Sequence, residues 1–461
     1  MPLDGLDDER RRAVETFLSD WLTQHRIPGA AVAVVDGDTV TAEGFGARTL
    51  EDNTAVTPDT LFGVGSCTKP FTAAAVMQLV EAGELALADP VADYLPHLAG
   101  APGDPITVEG LLTHTSGLPD DGSAGPLIAR RLGAGGEIPL SSEADLRRHV
   151  QGSLDRRVTD RETFFYYNSG YVLLGRLVET VTGRSFAGYV EEELLAPLGM
   201  ERATFDRAAF EADDDRMTPY LSEEGAATEA AFPFDPLIYP AGGLVSSVRE
   251  LAGYVQGVLR GGAVGDGPAA LLSADSVAAM TTPAGTFGRY LDGREVGYGY
   301  GLTTQPYLDD RLVGHGGSVG VSNAWFGYLE DADLGLAIAC TTSPETHPSD
   351  AGMGVLALLR DEQPEAVQPH YRLLGALEAV TGEYGGYRGV VGATVERAGG
   401  GLKLTVESGA GGQELLLVPE RVEEELLVCT TVTVSGFERE VRFELDGVDL
   451  FYDRFRLSKS A

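Results

Sequence analysis

Lysine is scarce in this sequence, and its scarcity narrows the roles of the lysines that remain. Lys69, Lys403 and Lys459 are the only three among 461 residues, so 31 of the 34 basic residues are arginine. Arginine provides surface charge as well as lysine does, but it keeps its proton at any ordinary pH. A lysine retained against this background is therefore a candidate for a proton-transfer role that arginine cannot fill.

Cysteine is nearly as rare, and its spacing excludes two further kinds of site. Cys67, Cys340 and Cys429 are odd in number and far apart in the chain, which predicts neither a disulfide framework nor a zinc cluster. The seven histidines show no H-E-x-x-H or similar ligand spacing. We therefore expect no metal and no cofactor. Cys67 is interpreted as a small buried filler rather than a nucleophile.

Long apolar runs are missing as well, and no stretch approaches the length of a membrane span. The formal charge is −36, with acidic residues scattered along the whole chain. Such a surface repels nucleic acids and anionic membranes. We predict a cytoplasmic protein without nucleic-acid or membrane partners. Lysine depletion together with this charge is typical of salt-adapted, halophilic proteins, although a merely acidic surface is the open alternative.

The stretch 61–83 contains the clearest candidate for a catalytic motif in this sequence. Gly63-Val64-Gly65 leads into Ser66, after which the apolar spacing predicts a buried helix ending near Gly83. Ser66 and Lys69 are three residues apart, so they lie on one helix face, one turn apart. An alcohol beside an amine is a nucleophile beside a base. The alternative, a helix cap followed by a solvated lysine, remains open at this point.

Two other motifs follow at long intervals. Tyr166-Tyr167-Asn168 is the only Y-x-N in the chain, and its alternative interpretation is an aromatic turn before a core helix. His315 is followed by two glycines, Gly316 and Gly317, and then by Ser318. Glycines remove side chains where a ligand must approach the backbone. His114 is interpreted as a hydrogen-bonded structural histidine, with a catalytic role as the alternative.

The order of elements predicts an α+β fold. An N-terminal helix precedes strand-like runs over 30–35 and 39–45, and after a helical middle come further strands over 324–329 and 334–341. A sheet completed by both ends of one domain, residues 1–362, explains this order. A proline-containing linker is predicted over 363–374. Short alternating runs over 375–461 then predict an all-β barrel or sandwich.

Taken together, the motifs S-x-x-K, Y-x-N and H-x-G resemble those of the serine beta-lactamase and penicillin-binding-protein superfamily. LLTHTSGL at 111–118 and PAGGL at 240–244 are similar to the class C-related branch, which includes D-aminopeptidases, D-alanyl-D-alanine carboxypeptidases and esterases. The resemblance covers residues 10–360 and implies an antiparallel sheet flanked by helices with a helical subdomain. The tail resembles, on pattern alone, the lipocalin-like β-barrel of some archaeal serine peptidases of this group.

The resemblance also implies roles for individual residues. Ser66 would be the acylated nucleophile and Lys69 its base. Tyr166 would shuttle the proton, as a phenolate or through Lys69, and would protonate the leaving group. Asn168 would hold the substrate amide or orient Lys69, and the backbone N–H groups of Ser66 and Ser318, next to Gly317, would form the oxyanion hole. His315 would be the fourth catalytic residue, and it stands where the family often has a lysine. A histidine is only partly charged near neutral pH, which disfavours anchoring of a beta-lactam carboxylate.

The function expected from this resemblance is a serine hydrolase that cleaves small peptides or amides, including D-amino-acid compounds, through an acyl-enzyme. A carboxylesterase of the same family and a catalytically silent assembly or binding homologue are the alternatives. The expected partner is a small-molecule or short-peptide substrate, and assembly into a homo-oligomer is left open.

The charge predicts a strong dependence of stability on salt. At about 10 mM salt the Debye length is roughly 30 Å, so acidic groups across the surface repel one another, and at about 1 M it is roughly 3 Å. The melting temperature and activity should therefore both rise as KCl increases from millimolar to molar concentration, measured by thermal unfolding and initial rates. A flat melting temperature over this range would contradict salt adaptation.

Overall fold

The computed structural model describes residues 3, 5–120, 123–133, 138–159, 162–223, 226–261, 271–344, 346–408 and 411–460. Contacts divide the chain into two units. The first consists of Met1–Gly288 and Glu295–Asp361, and the second of Arg289–Arg294 and Glu362–Ala461. Among the residues described, no helix combines the length and the apolar character needed to cross a membrane.

The helices of the first unit are α1 (Asp8–Gln24), α2 (Lys69–Glu81), α3 (Val108–Leu112), α4 (Ala124–Arg131), α5 (Glu143–Leu154), α6 (Asn168–Thr182), α7 (Phe186–Val190), α8 (Arg207–Ala212), α9 (Tyr239–Gly242), α10 (Val248–Tyr254), α11 (Ala274–Thr281) and α12 (Pro348–Leu359). Its strands are β1 (Gly29–Asp36), β2 (Thr39–Thr49), β3 (Thr54–Ala55), β4 (Phe62–Gly63), β5 (Tyr220–Glu223), β6 (Ala226–Glu229), β7 (Val245–Ser246), β8 (Gly285–Arg289), β9 (Glu295–Tyr298), β10 (Thr303–Tyr307), β11 (Asp310–Ser318), β12 (Asn323–Leu329) and β13 (Leu334–Cys340).

Both ends of this unit contribute to one antiparallel sheet, as the order of elements predicts. Nine strands of the described chain form it in the order β3-β2-β1-β13-β12-β11-β10-β9-β8. Strand β1 pairs directly with β13, so that Ala30 lies opposite Cys340 and Asp36 lies opposite Leu334. A turn at Gly37, with φ +56°, joins β1 to β2. The predicted mixed fold with a helical middle is confirmed.

Helices cover both faces of the central strands, which explains why their sequences are continuously apolar. Every residue of β12 and β13 is buried. On one face α12 packs so closely that a Cβ on Gly352 would lie 2.4 Å from the Trp325 ring of β12. On the other face Ala31, Ala33 and Val35 of β1 join the core that includes α2 and α10. The sheet is thus a rigid layer on which the helical part is built.

The second unit contains α13 (Pro364–Val367), α14 (Pro369–Val380), β14 (Gly382–Gly385), β15 (Val391–Ala398), β16 (Gly401–Ser408), β17 (Gly411–Val422), β18 (Leu426–Val432), β19 (Glu438–Glu444), β20 (Asp449–Tyr452) and β21 (Phe455–Lys459). Strands β14 to β21, the eight described here, close into an up-and-down antiparallel barrel. Alternate residues point inward, as Leu402, Leu404 and Val406 do on β16, and Leu377 of α14 packs into the same core. The predicted barrel is confirmed.

The segment predicted to be a linker, 363–374, is helical in the structure. Pro364 and Pro369 stand in the first turns of α13 and α14, where proline is favoured because the missing N–H has no helical partner. The sequence interpretation took the prolines of this segment as a sign of a linker, although they begin helices. The outer limits of the predicted domains, residues 1 and 461, lie outside the described residues.

Candidate active site

Ser66 lies in a short helical turn, Gly65–Thr68, which leads directly into α2. We refer to these four residues as the serine turn. The turn begins at Gly65, whose φ of +53° is in the region that favours glycine. A Cβ at Gly65 would lie 2.4 Å from the backbone N of Ser318, so strand β11 passes directly over this turn. Ser66 is partly exposed, whereas Lys69 is 0% exposed. The nucleophile candidate thus faces solvent and the amine lies behind it.

Three oxygen atoms surround the amine of Lys69. Its Nζ lies 2.9 Å from Ser66 Oγ, 2.8 Å from Asn168 Oδ1 and 2.7 Å from the carbonyl oxygen of Ala241. Burial lowers the pKa of Lys69 to about 7, although the charge of Asp120 opposes this shift. A substantial fraction of Lys69 is therefore neutral near pH 7. A solvated lysine, the alternative considered from the sequence, does not fit this geometry.

Tyr166 adjoins the same two groups. Its hydroxyl is hydrogen-bonded with the Ser66 side chain, and its ring centroid lies 4.8 Å from Lys69 Nζ. Burial raises the pKa of Tyr166, and the bond with Ser66 offsets only part of this rise. The phenol therefore keeps its proton near neutral pH. It is placed to pass on a proton but not to take the first one as a phenolate.

Asn168 is the first residue of α6 and connects Lys69 to a carboxylate that the sequence interpretation missed. Its Oδ1 accepts from Lys69, while its Nδ2 donates to Asp120 Oδ2 over 3.1 Å. This arrangement fixes the amide orientation and holds Oδ1 toward the amine. Asp120 follows the LLTHTSGL stretch by two residues, and no pattern in the sequence distinguishes it from the other acidic residues.

His114 holds the segment that carries Tyr166 and Asn168. The backbone N–H of Tyr167 donates to His114 Nδ1 over 3.0 Å, and that of Phe165 donates to the His114 carbonyl over 3.0 Å. The His114 ring also packs against Tyr166, with centroids 4.5 Å apart. These contacts agree with the structural interpretation of His114, because its ring acceptor is used by backbone rather than by Ser66.

His315 lies on β11 with both ring nitrogens engaged. Nδ1 is 2.6 Å from the carbonyl oxygen of Gly316, and Nε2 is 3.1 Å from the hydroxyl of Tyr298. A carbonyl only accepts, so Nδ1 carries the proton and Nε2 accepts from Tyr298. Burial lowers the pKa of His315 to about 3. The ring is therefore neutral, and it presents no positive charge to a substrate carboxylate.

The glycines after His315 make room for the chain itself. A Cβ on Gly317 would lie 2.1 Å from the Val64 carbonyl oxygen and 2.4 Å from the Ser66 nitrogen, while one on Gly316 would lie 2.6 Å from the His347 ring. Gly317 therefore lets β11 approach the turn that carries Ser66, which brings the N–H groups of Ser66 and Ser318 near one another, and Gly316 makes room for the His347 ring. The sequence interpretation assigned this space to a ligand.

Cys67 does not face the same space as Ser66. It is fully buried, and its Sγ donates to the carbonyl oxygen of His315 over 3.2 Å. Burial raises the pKa of Cys67 far above its ordinary range, so the thiolate does not form near neutral pH. Its side chain instead links the serine turn to β11. In the portion of the chain that the structure covers, no cluster of three or more His, Cys, Asp or Glu residues could hold a metal ion.

Comparison with known proteins identifies the group to which this architecture belongs. Residues 10–359 match the family model for beta-lactamase. This chain belongs to the beta-lactamase family. Members of that family are serine hydrolases. The resemblance drawn from the three motifs is confirmed at this level.

Relatives with known sequences span the same region. The chain is 31% identical over 326 residues to penicillin-binding protein 4 of Amycolatopsis lactamdurans, covering 67% of this chain and 78% of the relative. It is 25% identical over 256 residues to protein flp of Staphylococcus aureus (strain MW2), covering 54% of this chain and 49% of that protein. The chain thus spans about half the length of protein flp.

Solved structures extend the likeness to the barrel. The octameric penicillin-binding protein homologue from Pyrococcus abyssi has a TM-score of 0.88 and 34% identity, covering 97% of this chain and 99% of that one. Residues 364–458 match the family model named Pab87 octamerisation domain. A class C beta-lactamase from Rhodobacter sphaeroides shares the fold, with a TM-score of 0.59, 21% identity, and coverage of 76% and 98%.

Proposed function

We propose that this protein is a serine hydrolase that cleaves small peptides or amides, including D-amino-acid compounds, through an acyl-enzyme on Ser66. The observation that carries the proposal is the contact between Ser66 Oγ and a buried amine, Lys69 Nζ, at 2.9 Å. The pKa of Lys69 is about 7, which matches the operating range of a general base. Membership in the beta-lactamase family supports the same chemistry.

The proposed first step is attack of Ser66 on the substrate carbonyl. Neutral Lys69 takes the Ser66 proton, and the N–H groups of Ser66 and Ser318 stabilise the oxyanion that forms. Each such donor contributes about 3 kcal/mol in hydrolases where one has been removed. Tyr166, still protonated, donates to the leaving nitrogen and recovers a proton from Lys69. Water then hydrolyses the acyl-enzyme along the reverse proton route.

The substrate class follows from the neutral site. Lys69 is occupied by Ser66, Asn168 and Ala241, and His315 is uncharged near neutral pH because its pKa is about 3. Neither residue is therefore placed to pair with the carboxylate of a penicillin. We infer that neutral amides and short peptides are better substrates than beta-lactams. Esters share the acyl chemistry and are the alternative substrates.

Replacement of the two central residues tests the proposal. Ser66→Ala should lower kcat/KM by at least about 10⁴-fold, and Lys69→Arg should be nearly as damaging because the guanidinium keeps its proton. The measurements are turnover of D-amino-acid p-nitroanilides and covalent labelling by a fluorophosphonate probe. Lys403→Arg is the matched control, since that lysine lies on β16 of the barrel and pairs with Glu396 and Glu414. Wild-type turnover by Ser66→Ala would overturn the assignment.

The pH dependence tests the identity of the base. Because Lys69 acts in its neutral form and its pKa is about 7, kcat/KM should be constant above about pH 7.5 and fall about tenfold for each pH unit below about 6.5. The Asp120 charge raises the Lys69 pKa, so Asp120→Asn should move the acid limb to lower pH. A limb that stays in place in Asp120→Asn, or one near pH 10, would exclude Lys69 as the base.

We further propose that the barrel assembles several copies of this chain. Leu416 and Val418 of β17 are 68% and 64% exposed, and they lie two residues apart on one outer face of the strand. Exposed apolar patches of this kind are typical of interfaces. The matches to the Pab87 octamerisation domain and to an octameric homologue support a second copy of this chain as the partner.

Light scattering coupled to gel filtration tests the assembly. The native mass should be a multiple of the 48.7 kDa chain, and eight copies are expected if assembly follows that of the Pyrococcus homologue. Introducing Leu416→Asp together with Val418→Asp should lower this mass, because two charges would have to be buried at the interface. Leu50→Asp, at an exposed leucine of the first unit, is the control. A monomeric wild type would contradict the proposal.

A further inference from the structure

His347 lies outside the proposed proton-transfer groups, and its hydrogen bonds connect α12 to β11. It is the N-cap of α12, and the backbone N–H of Ser349 donates to its Nδ1 over 3.1 Å. An Nδ1 that accepts from a backbone N–H carries no proton, so the proton is on Nε2. Burial lowers the pKa of His347 to about 4, which keeps this neutral form dominant over the working pH range.

The Nε2 proton is directed at β11. His347 donates a hydrogen bond to the backbone carbonyl of Gly317. The ring reaches this carbonyl by lying against Gly316, where a Cβ would stand 2.6 Å from Cε1 and 3.3 Å from Nε2. Any other residue at position 316 would displace the imidazole. The absence of a side chain at Gly316 therefore has a specific use, which is to admit His347 to the strand.

The carbonyl of Gly317 and the N–H of Ser318 belong to the same peptide group. A peptide is planar, so fixing the direction of its oxygen also fixes the direction of its N–H. A donor to the oxygen also polarises the N–H and strengthens the hydrogen bonds that it donates. On the opposite side, Gly317 lies against the Ser66 nitrogen, with 2.4 Å between that nitrogen and an added Cβ. The orientation of this one peptide is thus set from both sides.

We propose that His347 is a positioning residue for the oxyanion hole, holding the Gly317–Ser318 peptide so that the Ser318 N–H points at the oxyanion. The inference rests on the proposed acyl-enzyme mechanism at Ser66. His347 does not touch the substrate, and it neither gives nor takes a proton during the reaction. Its contribution is realised in the tetrahedral transition state, where the oxyanion needs two well-directed donors.

Two substitutions separate this role from helix capping. In His347→Asn the amide oxygen can replace Nδ1 as acceptor for the Ser349 N–H, and asparagine is a preferred N-cap, but no donor reaches Gly317. In His347→Gln the longer amide can place its nitrogen where Nε2 was, while the short cap is lost. The first variant keeps the cap and removes the proposed function, and the second does the opposite.

The two variants should therefore differ in labelling rate and in melting temperature. His347→Asn should keep the wild-type melting temperature, while the rate of Ser66 labelling by a fluorophosphonate and the affinity for phenylboronic acid should both fall roughly three- to tenfold, as for loss of one hydrogen bond. His347→Gln should melt at a lower temperature but label faster than His347→Asn. Ser349→Ala, which keeps the backbone N–H, should stay within about twofold of wild type in labelling.

The labelling rates and melting temperatures of these variants distinguish a positioning role of His347 from helix capping alone. If labelling and boronate affinity follow the melting temperature across the variants, so that His347→Asn is unaffected and His347→Gln is slow, His347 only caps α12 and the inference is wrong. Wild-type labelling and affinity in both variants would also overturn it. If the wild-type protein itself is not labelled at Ser66, the failure lies with the proposed hydrolase function.

Discussion

The burial of one amine organises the candidate active site. Lys69 is 0% exposed, and its surroundings must supply acceptors from three different parts of the chain: Ser66 in its own turn, Asn168 at the start of α6, and the carbonyl of Ala241 in α9. Lowering the pKa from 10.5 to about 7 corresponds to roughly 5 kcal/mol in favour of the neutral amine. Such an amine is tolerated only where the fold fixes its partners.

A second constraint is the close approach of two backbone segments. The serine turn and β11 touch at Gly65 and Gly317, where a Cβ on either residue would come within 2.4 Å of backbone nitrogen atoms of the other segment. Cys67 and His347 support the same contact through hydrogen bonds to the carbonyls of His315 and Gly317. The arrangement brings the two N–H groups of the proposed oxyanion hole close together, and fixed donors of this kind are what stabilisation of an oxyanion requires.

The electrostatics of the site differ from those of a site with a lysine in the place of His315. His315 is neutral because it is buried beside Tyr298 and gives its Nδ1 proton to Gly316. Asp120, reached through Asn168, is the nearby carboxylate that acts on Lys69. This balance of charge around Ser66 supports the proposed preference for neutral ligands over anionic ones, and the molecule as a whole carries a formal charge of −36. Both features disfavour the approach of an anion.

The sequence by itself determined the motif residues, the mixed fold and the barrel. Ser66 and Lys69 are close in the chain, so helix periodicity alone places them on one face, and alternating apolar residues such as Leu402 and Leu404 identify barrel strands. Only the tertiary structure decided which distant residues lie around Ser66, Lys69 and strand β11. Asp120, Ala241 and His347 are far from Ser66 in sequence, and their approach depends on packing between elements, which no local pattern encodes. The prolines at 364 and 369 show the same limit, because proline begins a helix or breaks one according to its surroundings.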